Sequence, residues 1–385
     1  MIAYNSFSEP STKVLHVIAN FGVGGAEVGL ARLVNNLHRE NCQHSICSLG
    51  SDLTTKNTLR PEIDCFSLEI NGANYGVFIK LAKVLRERSI DIVHVNNLAP
   101  WLDAALAARM AGCQCIETFH GIEETFARFP LLRRMILRTA AAMSVAITVV
   151  DTSVAERLSE LTGINGNGVD VIPNAVDIND FGPAKSIIEK EILKERLGFT
   201  KNTFLLGCVA GLRPVKNHHG LIEAFASILS DKRLNKKDLQ LALIGDGALR
   251  SDLERLAASL GVAGQVCFLG NRNDVTTILK ALDLFVLNSK TEGMSYAVIE
   301  AMASGIPIVA TNVGANVDLV SHEYDGLLVE QGNTGELSNR ILQLIMDRDL
   351  RLEFGSNARK KIIKNYSFDK VMGLYEKLYV NHCLK

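Results

Sequence analysis

The sequence predicts an α/β protein with two doubly wound parallel-sheet domains that face each other across a cleft. Three observations predict this fold: a length of 385 residues, short apolar β-branched runs that alternate with amphipathic helix-length segments, and one pause in that alternation. The length is about two to three times that of a usual domain. Continuous apolar strands separated by helices are typical of a parallel sheet that helices cover on both faces.

One set of predicted strands lies before the pause. These strands are residues 14–18, 45–49, 90–95, 115–119, 145–150 and 169–172. Apolar residues at a helical spacing predict helices between them, for example over residues 27–37 and 77–85. The alternation pauses over the polar, proline-containing stretch 173–183, so we expect an N-terminal domain over residues 1–178.

The alternation resumes after the pause, with predicted strands at residues 204–209, 239–244, 266–269, 284–287 and 306–310. We expect a C-terminal domain over residues 184–365 and a terminal helix over residues 366–385. Ligands of open α/β sheets bind outside the carboxyl ends of the strands. Two such domains would therefore hold a site in the cleft between them.

Composition and charge exclude several classes of protein. Hydrophobic residues make up 47% and charged residues 22% of the chain, which is typical of a globular protein and unlike a disordered one. The 41 basic and 42 acidic residues leave a net charge of −1, which gives no support for a general nucleic-acid binder. The eight cysteines are scattered, without a CxxC pair, so we expect reduced thiols and no zinc site.

Membrane insertion is not expected. The uncharged, mostly apolar run over residues 139–150 is too short to cross a bilayer. The first apolar stretch is too short and too polar at its flanks for a secretory signal. We therefore expect a cytoplasmic protein.

A glycine-rich turn follows the first predicted strand. Gly22, Gly24 and Gly25 precede a predicted helix, whose exposed amides and positive dipole end favour an anion. A dinucleotide-binding fingerprint that starts at Gly22 needs a glycine at position 27, where this chain has Glu27. An anion-binding turn and a plain tight turn both remain open at this point.

The segment 288–307 carries the densest set of candidate binding residues. Glu292 follows a predicted buried strand, at a point where Gly293 is predicted to open a helix, so it would lie beside the first amides of that helix. Glu300 interrupts an apolar helical run, and a buried carboxylate without a partner costs several kcal/mol. The two hydroxyls of a ribose would pair with one carboxylate. The alternative is a surface glutamate on a half-exposed helix.

Two cations follow another predicted strand. Arg213 and Lys216 lie just before a predicted helix, and cations beside a helix N-terminus suit a pyrophosphate. Exposed basic residues in a loop are the alternative, but the position at a strand's carboxyl end favours the binding site.

Several short motifs occur in a fixed order along nearly the whole chain. They are GGAE at 24–27, DIVH at 91–94, TFHG at 118–121, VIPNAVD at 171–177, RPVKN at 213–217, IGDG at 244–247, FLG at 268–270, and the specific spacing Glu292-x7-Glu300 followed by Gly305-Ile-Pro-Ile-Val. Together they resemble the family-4 retaining glycosyltransferases of the GT-B fold, which transfer sugars from nucleotide-sugar donors.

The resemblance implies donor-binding roles in the C-terminal domain. Glu300 would hold the ribose hydroxyls and Lys216 the diphosphate, while the backbone near Asn271 and Arg272 would meet the base. Glu292 would contact the hydroxyls of the transferred sugar, together with the amides that follow it, which are those of Gly293, Met294 and Ser295.

The resemblance also implies roles on the acceptor side. Gly24 and Gly25 would close over the diphosphate from the N-terminal domain, and His120 would lie by the sugar. His94, in an apolar strand, is either an acceptor contact or a satisfied core histidine. The last helix, 366–385, would cross back to the N-terminal domain.

One departure from the family concerns the diphosphate. The family usually carries an arginine five residues before the diphosphate lysine, and here that position is Gly211. Arg213 and Arg272 are the candidates to supply the missing charge.

The expected mechanism is metal-free and retaining. Lys216 would stabilise the charge that develops on the leaving diphosphate, and His120, Glu292 and Lys216 are the predicted catalytic residues. The resemblance implies front-face attack by the acceptor hydroxyl, with the diphosphate taking its proton. The only Asp-x-Asp pattern, Asp347–Asp349, is expected at a solvated helix end, so no metal or other cofactor is predicted.

A basic, apolar stretch runs from Phe126 to Arg138, with four arginines and no acidic residue. Such a helix can lie on an anionic membrane, which would suit a lipid-linked acceptor. A scaffold helix with its arginines in water is the equal alternative.

The expected protein is therefore a cytoplasmic glycosyltransferase at the inner face of the membrane. It would move a sugar, with a UDP-sugar as the expected donor, to a glycan or lipid-linked glycan in capsule or lipopolysaccharide synthesis. The alternatives are a nucleotide-sugar 2-epimerase of the same architecture and a non-catalytic nucleotide-sugar-binding protein.

Overall fold

The chain forms two compact units, the N-terminal unit (Met1–Asn174 with Asp369–Lys385) and the C-terminal unit (Ala175–Phe368). The computed structural model describes residues 12–22, 24–37, 42–70, 76–121, 131–164 and 168–383. Each unit is built on one parallel sheet. The predicted α/β class with two parallel-sheet domains is confirmed.

The sheet of the N-terminal unit has seven strands in the order β3-β2-β1-β4-β5-β6-β7. The strands are β1 (Thr12–Ile18), β2 (Cys42–Ser48), β3 (Cys65–Ser67), β4 (Ile92–Val95), β5 (Gln114–Phe119), β6 (Ala146–Val149) and β7 (Asp170–Val171). The helices between them are α1 (Gly25–Leu37), α2 (Val77–Glu87), α3 (Trp101–Ala111), α4 (Leu131–Met143) and α5 (Thr152–Thr162). The order reverses between β1 and β4, so the carboxyl ends of these two strands form the topological switch point.

The sheet of the C-terminal unit has six strands in the order β10-β9-β8-β11-β12-β13. The strands are β8 (Phe204–Val209), β9 (Leu239–Ile244), β10 (Val266–Gly270), β11 (Leu284–Leu287), β12 (Ile308–Thr311) and β13 (Leu327–Val329). Its helices are α6 (Ile187–Arg196), α7 (His218–Leu229), α8 (Arg250–Ser259), α9 (Val275–Ala281), α10 (Tyr296–Ala303), α11 (Asn316–Leu319), α12 (Thr334–Met346) and α13 (Arg348–Asn365). The switch point here lies between β8 and β11.

The last helix, α14 (Phe368–His382), packs within the N-terminal unit against a polar face of its sheet. His94 on β4 accepts or donates a hydrogen bond at both ring nitrogens, with Nδ1 2.7 Å from Tyr379 Oη and Nε2 2.6 Å from Thr118 Oγ1. Polar side chains of the neighbouring strands lie on both sides of His94. On one side the Thr118 and Thr148 hydroxyls are 2.6 Å apart, and on the other His16 Nε2 lies 3.0 Å from His44 Nδ1. The helix is thus held by hydrogen bonds as well as by apolar packing.

A buried charge cluster fixes the first helix of the C-terminal unit to its sheet. Asp283 lies just before β11, and its carboxylate oxygens are 2.7 Å from Lys190 Nζ and 2.6 Å from Lys194 Nζ, both on α6. Asp283 also accepts the backbone N–H of Leu205 at 2.8 Å. The two lysines hold the pKa of this carboxyl below its usual value against the opposing effect of burial.

Within the described residues, no helix combines the length and apolarity that a bilayer crossing requires.

Two buried histidines should each contribute to loss of stability of the N-terminal unit in acid. Burial lowers the pKa of His94 to about 3 and that of His16 well below its ordinary value, so both are neutral when folded. An unfolded histidine titrates near pH 6.5, so the free energy of unfolding should be unaffected above that pH. Below it, the free energy should fall by up to ~1.4 kcal/mol per pH unit for each histidine.

Urea unfolding at pH 7.5, 6.0 and 5.0 measures this slope. The variant His94→Asn has no titrating group at that position and should lose stability less steeply with pH than the unchanged protein. Equal slopes for the two proteins would contradict the assignment of acid sensitivity to the buried histidines.

Candidate functional site

Two loops of the C-terminal unit meet at the switch point between β8 and β11. The loop after β8 contains a short 3-10 helix, Pro214–Lys216, and the chain then turns into α7 through Asn217 in a left-handed conformation (φ 48°). The loop after β11 is joined to it by two hydrogen bonds: Lys290 N–H donates to the Val215 carbonyl at 2.7 Å, and Asn288 Nδ2 donates to the Asn217 carbonyl at 3.2 Å. These bonds fix the relative positions of the side chains that the two loops carry.

Lys216 and Glu292 form an ion pair at this junction. Lys216 Nζ donates to Glu292 Oε1 at 2.5 Å, and Ser289 Oγ donates to the same oxygen at 2.5 Å. The side chain of Glu292 is 8% exposed and that of Lys216 is 23% exposed. Glu292 Oε2 makes no hydrogen bond within the described residues, so it can accept one from a ligand hydroxyl. The pair thus offers a cation and a carboxylate acceptor to one ligand.

Glu300 lies inside the C-terminal unit, on α10. It is 6% exposed, between apolar neighbours that are themselves buried. The alternative of a surface glutamate on a half-exposed helix is therefore wrong. The role of Glu300 toward a ribose stays a prediction.

The start of α10 corrects one sequence expectation. The helix begins at Tyr296, with Ser295 as its extended N-cap residue, and not at Gly293. Gly293 and Met294 therefore belong to the loop, and Met294 and Ser295 are buried. The reason is local: a glycine loses more conformational entropy than any other residue on entering a helix, which disfavours a helix start at Gly293.

Arg213 lies beside the glycine that departs from the family pattern. A Cβ built on Gly211 would be 3.6 Å from Arg213 Nε, which is ordinary contact, so the guanidinium stem runs along Gly211. Arg272, the other candidate, pairs with Asp274 through bonds of 2.7 and 2.8 Å. It lies with Asn271 in an exposed turn after β10. Arg213 is exposed as well but lies on the loop of Lys216, and its role toward a diphosphate stays a prediction.

In the N-terminal unit, the glycine turn before α1 is closed by an acidic side chain. A Cβ on Gly24 would lie 2.3 Å from Glu27 Oε2, the end of a flexible side chain that lies over this turn. Gly25 is the first residue of α1. A carboxylate near the N-terminus of a helix is stabilised by the helix dipole, and a diphosphate at this turn would have to displace it. Its contact with a diphosphate stays a prediction.

The two histidines predicted on the acceptor side differ in their surroundings. His94 is fully buried and engaged at both ring nitrogens, which is the arrangement of a core histidine. His120 directly follows β5, at the carboxyl edge of the sheet, and is not fully covered. Burial still lowers its pKa to about 4, so its imidazole is neutral at neutral pH. The structure therefore favours the core-histidine alternative for His94 and leaves His120 as the acceptor-side candidate.

Sequence reasoning missed the glycines that let neighbouring loops touch. A Cβ on Gly245 (φ 135°) would lie 2.2 Å from the Ala210 carbonyl oxygen, and one on Gly247 would lie 2.6 Å from that of Leu212. Both glycines belong to the IGDG motif, whose repeated glycine was the available signal. They bring the loop after β9 against the loop that carries Lys216.

No metal-binding cluster stands out in the described part of the chain, where no group of three His, Cys, Asp or Glu residues could hold an ion. The Asp-x-Asp pattern has a structural role instead, because Asp347 caps α13 by accepting the Leu350 N–H at 2.9 Å.

Two family models match the chain, one for each half. Residues 189–361 match the model described as glycosyl transferases group 1, and residues 23–180 match that of glycosyltransferase family 4. Among curated proteins, a UDP-Gal:α-D-GlcNAc-diphosphoundecaprenol α-1,3-galactosyltransferase of Escherichia coli is 32% identical over 313 residues, which are 79% of this chain and 79% of that protein. An N-acetyl-α-D-glucosaminyl L-malate synthase of Bacillus anthracis is 27% identical over 93% of this chain and 94% of that protein.

Solved structures share the fold. The Anabaena protein HepE in complex with UDP superposes with a TM-score of 0.82 at 22% identity, covering 96% of this chain and 100% of that one. The sucrose-phosphate synthase of Thermosynechococcus elongatus superposes with a TM-score of 0.80 at 17% identity, covering 96% and 98%.

The ion pair between Lys216 and Glu292 should be energetically coupled. Lys216→Met and Glu292→Gln should each lower the free energy of unfolding, because the first leaves the Glu292 carboxylate without its cation and the second leaves the Lys216 ammonium without an opposite charge. The double variant should be more stable than the sum of the single effects predicts, with a coupling energy of about 0.5–3 kcal/mol. Urea unfolding of the four proteins measures the cycle, and strict additivity would show that the two side chains do not interact.

Proposed function

The chain belongs to the family-4 glycosyltransferases, and we propose that it transfers a sugar from a UDP-sugar to a hydroxyl of a lipid-linked glycan, with retention of configuration and without a metal ion. The observation that carries the proposal is the cluster of Lys216, Glu292 and Ser289 at the switch point of the C-terminal unit. A cation and a carboxylate on one ligand suit a molecule that joins a phosphate to a sugar.

The comparisons support UDP as the nucleotide. The galactosyltransferase of Escherichia coli is named for a UDP-Gal donor, and the Anabaena structures hold UDP and UDP-glucose. The same galactosyltransferase is named for an acceptor on a diphosphoundecaprenol, which is a lipid carrier. These names support the donor and acceptor classes that we propose, and synthesis of a cell-surface polysaccharide is the pathway that fits them.

The proposed mechanism assigns one task to each group. The bond between the anomeric carbon and the diphosphate oxygen breaks, and the acceptor oxygen forms its bond on the same face of the sugar. The proton of the acceptor hydroxyl passes to the leaving diphosphate, so charge and atoms balance. Lys216 Nζ stabilises the negative charge on that diphosphate, Glu292 binds sugar hydroxyls, and Ser289 orients Glu292 by donating to Oε1. In the N-terminal unit, neutral His120 has one donor and one acceptor to offer to an acceptor molecule.

Part of α4 supports contact with a membrane surface. Leu131, Leu132 and Met135 are 79%, 68% and 65% exposed, and Arg134 and Arg138 lie on the same helix. Residues 126–130 of the predicted membrane stretch lie outside the described residues. Exposed apolar side chains beside arginines suit an anionic bilayer, so we propose peripheral attachment at the cytoplasmic face, where a lipid-linked acceptor is accessible.

Thermal unfolding with UDP, GDP and ADP, with and without EDTA, tests the donor. UDP at 100 times its dissociation constant should add about 2.7 kcal/mol to the free energy of unfolding, and EDTA should not change this effect. Lys216→Ala should weaken the effect, whereas the exposed lysine variant Lys237→Ala should retain it. A selective response to GDP or ADP would overturn the proposed base.

Release of UDP measures the reaction itself, with UDP-galactose as donor and N-acetylglucosamine on a polyprenyl diphosphate as acceptor. Release should depend on the acceptor, and Lys216→Ala should lower kcat by about 10²–10³-fold. Conversion of the donor without an acceptor would instead indicate the epimerase. Binding of UDP-galactose without turnover, across a panel of polyprenyl-linked sugars, would indicate a binding protein.

Sedimentation with phosphatidylglycerol vesicles tests the membrane contact. The variant Leu131→Ser/Leu132→Ser should lose binding to these vesicles, because it removes the apolar side chains that would enter the bilayer surface. The matched control, Ile187→Ser/Ile188→Ser, replaces two equally exposed apolar residues of α6, each 68% exposed, and should bind like the unchanged protein. Equal behaviour of both variants would contradict a docking role for α4.

A further inference from the structure

The loop after β12 packs against the loop of Glu292, backbone against backbone, at Gly314. A Cβ on Gly314 would lie 1.9 Å from the carbonyl oxygen of Glu292 and 2.8 Å from its carbonyl carbon. Non-bonded heavy atoms sit about 3.5–4.0 Å apart at their optimum. A methyl group here would therefore force the two backbones apart by more than an ångström, because no flexible side chain is present to give way.

The loop after β12 is itself held firmly. Thr311 Oγ1 donates to the Ser289 carbonyl at 2.7 Å, and Asn316 Nδ2 donates to the Thr311 carbonyl at 3.1 Å. Thr311 and Asn316 are both fully buried. The loop that carries Gly314 is thus anchored on both sides of the glycine and cannot absorb the whole displacement, so part of it falls on the Glu292 backbone.

Lys216 is supported independently of this contact. Its backbone N–H donates to the Arg213 carbonyl at 3.0 Å, within the loop after β8. The hydrogen bonds that join its loop to the loop after β11 come from Asn288 and Lys290, so a shift at the Glu292 carbonyl, beyond them in the chain, would still change the position of the carboxylate relative to Lys216 Nζ.

We infer that Gly314 is a positioning residue for Glu292. Because Gly314 has no side chain, the Glu292 backbone can lie where its carboxylate meets the transferred sugar. The inference rests on the proposed function, in which Glu292 binds the sugar and Lys216 the diphosphate. A side chain at position 314 should therefore weaken sugar binding and turnover while leaving binding of the nucleoside diphosphate nearly unchanged.

A second glycine provides a matched control for backbone strain. Gly314 has φ 51° and Gly332 has φ 78°, so alanine is strained in both places. A Cβ on Gly332 meets nothing within 4 Å. Gly332→Ala therefore carries the strain of a left-handed alanine without the clash against Glu292.

The experiment compares calorimetric binding of UDP and of UDP-galactose, and the kcat/KM of UDP release, for these variants and the unchanged protein. Gly314→Ala should bind UDP within about threefold of the unchanged protein but lose most of the extra affinity that the sugar provides. Its kcat/KM should fall by about 10²-fold, the scale of a 1 Å misplacement. Gly332→Ala should retain both affinities and its turnover.

A double variant tests whether Gly314 acts through Glu292. In a Glu292→Ala background, Gly314→Ala should cause no further loss of sugar affinity or turnover, because the group it positions is already gone. Additive losses, or an equal loss of UDP and UDP-galactose affinity, would overturn the inference. Failure of the unchanged protein to bind UDP would instead overturn the proposed donor, and the inference with it.

A gentler substitution covers the case in which Gly314→Ala does not fold. Thr311→Val removes the hydroxyl that donates to the Ser289 carbonyl while keeping the shape of the side chain. It loosens the same loop without adding a clash, so it should lower affinity for UDP-galactose more than for UDP. Parallel losses of the two affinities in this variant would also overturn the inference.

Discussion

The ion pair between Lys216 and Glu292 joins two loops that are 76 residues apart in the chain. It forms because β8 and β11 are neighbours at the point where the strand order of the C-terminal sheet reverses. The carboxyl ends of the strands at such a point are where ligands of open α/β sheets bind. The pair is nearly buried on the Glu292 side, so each charge depends on the other for its stability. A ligand with both a phosphate and hydroxyl groups can replace these interactions with its own.

Close backbone contact is the second constraint on this region. Gly245, Gly247 and Gly314 each lie where the backbone of a neighbouring loop passes too close for a side chain. The loops after β9, β8, β11 and β12 can therefore lie side by side in strand order. A single methyl group at any of these positions would spread adjacent loops, and the site would lose the sub-ångström placement on which catalysis depends.

In the N-terminal unit, a hydrogen-bond network stabilises buried polar side chains. Its sheet presents histidines and threonines to α14, and these side chains satisfy each other and the tyrosines of the helix. Buried polar groups without partners are costly, whereas a fully satisfied network specifies one arrangement. The network places the last helix of the chain in one register against the sheet, and the neutral histidines make that register sensitive to acid.

The α/β class could be predicted from the sequence, and so could the bounds of the strands Phe204–Val209, Leu239–Ile244 and Leu284–Leu287, because each strand is a continuous apolar run between polar turns. The sequence also identified Lys216, Glu292 and Glu300 as candidates, since charged residues at strand ends and inside apolar helices stand out from their neighbours. The short strands Cys65–Ser67 and Leu327–Val329 escaped prediction, because three residues carry too little pattern and form strands only beside an existing sheet edge.

Which of these candidates meet could not be predicted from the sequence. The pairing of Lys216 with Glu292, the burial of His94 against Tyr379 and the contact of Gly314 with the Glu292 backbone all join residues distant in the chain. Strand order decides such contacts, and strand order is set by how the whole sheet buries its apolar faces, which no local stretch of sequence records.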